Sequence, residues 1–128
     1  MMPSTTYAAT ERVKLQDPLL LKYAALAANY TIHDVLPSGE LLIGEYPEGY
    51  WNPLSCSVSA LHLTGTLSMS VSSVLQQGHG VMPYYQITVW SPYLPGRPLI
   101  LHGSQYPQLY RDAVTLLAAQ CYIATIDD

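Results

Sequence analysis

The chain has 128 residues, a net charge of −4 and only 11% charged side chains, against about 25% in an ordinary soluble domain. Five Lys and Arg in all are too few for the basic footprint that nucleic acid demands, and no apolar run reaches the ~20 residues of a membrane helix. A hydrophobic fraction of 49% argues against disorder; the opening residues lack the basic-then-apolar layout of a secretory signal, so the expected location is the cytoplasm.

Residues 1–16 read as a loose polar leader, and 17–128 as a single domain. Asp17 followed by Pro18 starts a helix, because Asp caps free backbone N–H groups and Pro already holds a helical φ. Leu19, Tyr23, Leu26 and Tyr30 then recur at helical spacing, which predicts a helix over 17–30 with those residues on its apolar face. Pro37-Ser38-Gly39 supplies a tight turn between two short strands. From Ser55 to Ser72 apolar and small polar residues alternate. Eighteen residues exceed an ordinary strand, so the pattern predicts a hairpin turning near Thr64-Gly65, with a bulge near Ala60 as the alternative. On it Thr64, Thr66, Ser68, Ser70 and Ser72 would form a hydroxyl row.

A glycine-rich connection, QQGHGVMP, leads to YYQITVWS, which alternates cleanly: Tyr85, Ile87 and Val89 on one side, Tyr84, Gln86, Thr88 and Trp90 on the other. RPLILHG reads as a further strand. Ser104 is the expected N-cap of a helix from about Tyr106 to Tyr122, with Tyr106, Tyr110, Ala113, Leu117 and Cys121 on its apolar face and Gln108, Arg111, Asp112 and Thr115 along much of the rest. Short connections favour antiparallel pairing. The expected fold is α+β: an antiparallel sheet of about five or six strands, with the N-terminal and C-terminal helices packed on one face.

Reactive groups form no constellation. Cys56 and Cys121 are too few for a disulfide framework and read as small hydrophobes. His33, His62, His79 and His102 show no metal-ligand spacing, so no metal, no cofactor and no catalytic residue is expected. His79, between two glycines, is the residue best placed for a general base. Asp34, Glu40, Glu45 and Glu48 fit a solvated acidic patch better than a pair of glycosidase carboxylates.

Charge is segregated. Between Lys22 and Arg97 there is no Lys or Arg, and from Gly49 to Gly96 no formal charge of either sign. Charges are what ordinarily keep sheet edges from pairing with other chains, so a partner protein or a homodimer is expected. Two Pro-bounded aromatic stretches, EYPEGYWNPLS at 45–55 and WSPYLPGRPL at 90–99, are the candidate recognition surface. Tyr and Trp lose little rotamer freedom on binding and carry a polar handle, and Arg joins them in interface hot spots. Tyr46, Glu48, Tyr50, Trp51, Trp90, Tyr93 and Arg97 are therefore the expected binding residues, with burial of Trp51 and Trp90 as peripheral core the competing reading. The expected function is a non-catalytic protein-binding module: an inhibitor, adaptor or chaperone-like protein, of a kind common in bacteria and their phages by analogy of fold class alone. The alternative is a small-molecule or sugar-binding domain, in its enzymatic form a hydrolase using His79 or Glu48.

Overall fold

The C-terminal helix organises the molecule. The computed structural model describes residues 15, 17–44, 50–76 and 84–126; Tyr46, Glu48 and His79 lie outside the described residues, as does the expected leader apart from Leu15. In chain order the elements are α1 (Leu20–Ala27), β1 (Ile32–Val35), β2 (Leu41–Ile43), β3 (Tyr50–Trp51), α2 (Ser57–Thr66), β4 (Ser70–Gln76), β5 (Tyr84–Trp90), β6 (Leu99–Gly103) and α3 (Tyr106–Ile126). The fold is α+β and antiparallel throughout, as expected. The strands form two three-stranded sheets, β1-β2-β3 and β4-β5-β6, rather than one sheet of five or six.

Helix α3 is buried continuously from Ala113 to Cys121. A helix with no wet face over more than two turns must be covered on every side. On one side Ala113, Leu117 and Cys121 join Ile87 and Val89 of β5 and Leu99 of β6 in one core. On the other, Val114 and Ala118 join α1, β2, β3 and α2 in a second. Thr115, expected on the polar side, is fully buried; its hydroxyl donates to the Arg111 carbonyl at 2.7 Å, which removes the cost of burying it. Among the described residues, no helix is long and apolar enough to cross a membrane.

Helix α1 is shorter than the spacing predicts. Asp17 accepts the Leu19 N–H at 2.8 Å on Oδ1 and the Leu20 N–H on its carbonyl, which turns the chain ahead of the helix, but Leu19 stands at the N-cap without a side-chain cap, and regular helix runs only from Leu20 to Ala27. The buried face is Leu20, Leu21, Ala24, Ala25 and Ala28, leaving Leu19 exposed. Alanines win that face because α1 lies against α3 and small side chains allow close approach; Tyr23 instead stacks on Tyr122 of α3 at 5.6 Å. The Pro37-Ser38-Gly39 turn forms as predicted: Gly39 takes φ +97° and donates to the Leu36 carbonyl at 2.8 Å.

The predicted hairpin over Ser55–Ser72 is wrong. Residues Ser57–Thr66 are helical, and the first half of that stretch packs through Ser59, Ala60 and Leu63, followed by Leu67. Those positions lie at i, i+1, i+4 and i+8, one helical face, whereas Leu61, which completed the apparent alternation, is 63% exposed. Asn52 prepares the helix: its side-chain oxygen accepts the Leu54 N–H and its carbonyl the Ser55 and Cys56 N–H groups. Ser68, at φ +53°, closes it. The hydroxyl row is thereby split between α2, the turn after it and β4. At the far end Gln105, not Ser104, stands at the cap of α3, its carbonyl accepting the Leu109 N–H at 2.9 Å.

Candidate functional site

The second aromatic stretch is a projecting turn held from beneath. Strand β5 lies between β4 and β6, and its alternation seats Ile87 and Val89 in the core while Tyr84 and Trp90 are exposed. Directly after Trp90, Ser91 is buried, and its hydroxyl donates to the Leu67 carbonyl at 3.1 Å and accepts the Tyr93 N–H at 3.2 Å. The same hydroxyl is hydrogen-bonded with the Cys121 thiol, whose pKa is raised by burial and partly brought back by that bond. The Leu94 N–H donates to the Ser91 carbonyl at 3.1 Å, and the Leu94 side chain is buried in the sheet core. Gly96 at φ +76° turns the chain towards β6. What remains outward is Pro92, Tyr93, Pro95 and Arg97, beside Trp90. Two prolines and two inward anchors leave this turn little freedom to lose on binding.

The first aromatic stretch behaves differently. Tyr50 is exposed on β3, paired with Leu42. Trp51 is 0% exposed, meets Tyr30 edge-on at 5.6 Å and has no hydrogen-bond partner for its indole N–H. In this arrangement Trp51 is core, so the competing reading holds at that position, while Trp90 remains 41% exposed. Trp90 thus ends β5, and Tyr93 and Arg97 lie on the turn after it, all three exposed. Tyr50 and Trp51 belong to the other sheet.

Sequence reasoning placed the hydroxyl row and some of the tyrosines on the open sheet face, but not the residues that stand beside them on the β4–β6 sheet. His102 on β6 stacks on Tyr84 at 5.7 Å, and its Nε2 lies 3.1 Å from Gln86 Oε1. Register places Ser70, Ser72 and Val74 of β4 on the same face as Trp90, Thr88 and Gln86. The signal was legible in the YYQITVW alternation, but its neighbours depended on a pairing that the sequence alone does not reveal.

The charged residues at the start of α3 are structural. Arg111 donates to the Leu54 carbonyl and, at 2.9 Å, to the Ser57 hydroxyl, while Gln108 donates to Asp112 at 2.7 Å. This ties the entry of α2 to α3. Burial raises the Asp112 carboxyl above its ordinary range; the bond from Gln108 and the charge of Arg111 work against that rise. Among the described residues, no three His, Cys, Asp or Glu are grouped to hold a metal, and neither Cys56 nor Cys121 is in a disulfide.

Comparison with family models, curated proteins and solved structures returns no match to this chain.

Proposed function

We propose that this chain is a non-catalytic protein-binding module, an inhibitor, adaptor or chaperone-like protein, that engages another protein through Trp90, Tyr93 and Arg97. The observation that carries the reading is the turn after β5: Ser91 and Leu94 fix it from inside, and an indole, a phenol and a guanidinium are left outside. Those are the side chains that dominate interface energetics. The proposed compartment is the cytoplasm, where cysteines outside disulfides, as Cys56 and Cys121 are, are the ordinary state.

The test begins with affinity capture from the source cell by the full chain, followed by titration of each retained protein against Trp90→Ala, Tyr93→Ala and the double variant. Each single change is expected to weaken a true partner by about 5- to 150-fold, which is about 1–3 kcal/mol, with an unchanged urea midpoint for Tyr93→Ala. Retention of full affinity by the double variant refutes the reading.

A further inference from the structure

Among the described residues four strands border the two sheets, and β4 is the one least protected against pairing with another chain. Strand β1 carries Asp34 and an irregular register between Ile32 and Asp34. Strand β3 is two residues long. Strand β6 is five residues long and follows directly on Arg97-Pro98, so a Pro stands at its entry but not within it. Charge, irregularity, brevity and Pro are the devices that keep edges from pairing. Strand β4 has none of them: it runs seven residues, SVSSVLQ, without Pro or formal charge, and is paired only on its β5 side among the described residues.

Strand β4 is also the least covered of its sheet. Val71, Ser73 and Leu75 share the face that β5 turns towards α3, yet Leu75 is 49% exposed; on the other face Val74 is 53% exposed. We propose that β4 pairs antiparallel with β4 of a second copy about a two-fold axis at Ser73, joining the two sheets into one of six strands. That register sets Val71 opposite Leu75 of the copy on the helix side, and Ser72 opposite Val74 on the open side. Both half-exposed aliphatic side chains then gain an apolar or small neighbour. The occupant is a second copy because β4 lies within the charge-free stretch from Gly49 to Gly96, so the net charge of −4 sets no like charge against like along this strand, and a two-fold makes seven neutral residues their own complement. One strand pair covers less than the about 800 Å² per partner of a standard stable interface, so the dimer is reversible. The proposal leaves the turn after β5 free, and stands independently of what that turn binds.

Sedimentation velocity on the full chain reads it out. The wild-type mass is expected to rise from monomer towards dimer between about 1 μM and 1 mM; a strict monomer throughout overturns the proposal. The double variant Ser72→Lys/Val74→Lys sets Lys opposite Lys twice and is expected to stay monomeric, with a cooperative melt showing that it folds. Ser72→Glu/Val74→Lys sets Glu opposite Lys twice and is expected to restore the dimer in a salt-sensitive form. If the Lys/Lys variant dimerises as the wild type does, the interface lies elsewhere; if the Glu/Lys variant stays monomeric, the two-fold register is wrong. Trp90→Ala/Tyr93→Ala leaves the mass unchanged, which separates this proposal from the partner-binding reading.

Discussion

The two indoles of this chain allow the core and the surface to be tested against each other. Replacing Trp51 with Ala removes a side chain with no solvent exposure. Burial of about 200 Å² at about 25 cal/mol/Å² is worth about 5 kcal/mol. The indole N–H has no partner, and leaving with the side chain it returns about 1–3 kcal/mol of desolvation cost. The net loss is therefore about 2–4 kcal/mol, a large part of the 5–15 kcal/mol that holds a typical domain together. Trp90→Ala is expected to cost less, because Trp90 is already 41% exposed and its removal leaves no closed cavity. Urea unfolding followed by circular dichroism gives both numbers. The single-indole variants Trp90→Phe and Trp51→Phe add an independent view: emission from Trp51 should be blue-shifted and protected from acrylamide, and that from Trp90 red-shifted and quenched. A loss below about 1 kcal/mol for Trp51→Ala, or equal quenching of the two, refutes the placement of Trp51 in the core.

Leu94→Ala should cost about 2–5 kcal/mol, as for other buried leucines, and should also weaken partner binding beyond Tyr93→Ala if Leu94 holds the turn in shape; a chain that binds normally would show that the turn needs no inward anchor. Cys121, buried and with its thiol pKa raised by that burial, is expected to react with a maleimide only as fast as the chain opens, well after Cys56, which mass mapping of the labelled peptides checks. Asp112 has a folded pKa raised mainly by burial, so the folded state holds this proton more tightly than the unfolded one. Its contribution to stability is full below the ordinary value of 3.8 and is lost as pH climbs through the raised folded value. The variant Asp112→Asn should accordingly gain stability relative to wild type as pH rises across that window, and a difference that stays flat with pH would refute the shift.

Where the sequence was legible, the signal was local. Gly39 needed a positive φ, a condition met within three residues of chain. The YYQITVW alternation predicted β5 because period two is written into adjacent residues. It also separated Ile87 and Val89 from Trp90 correctly, so part of the candidate site could be read before any fold was known. Ser57–Thr66 defeated the same method. Small residues and scattered leucines satisfy a strand period and a helix period about equally there, and the choice fell to Ser59, Ala60, Leu63 and Leu67 fitting the core beside α1 and α3.

Composition, turn chemistry and short-range period thus determined, from the chain alone, that this is an antiparallel α+β protein with a charge-free middle and two aromatic stretches. Only the tertiary structure decided that its strands divide into two sheets around a helix buried on all sides, and that one indole is core while the other is exposed. Trp51 and Trp90 sit in similar local contexts beside Pro-rich turns. Their fates differ because burial is settled by what closes over a side chain from elsewhere: Tyr30 and Leu63 pack round Trp51 in the second core, whereas β4 offers Trp90 nothing larger than Ser70 as its paired residue.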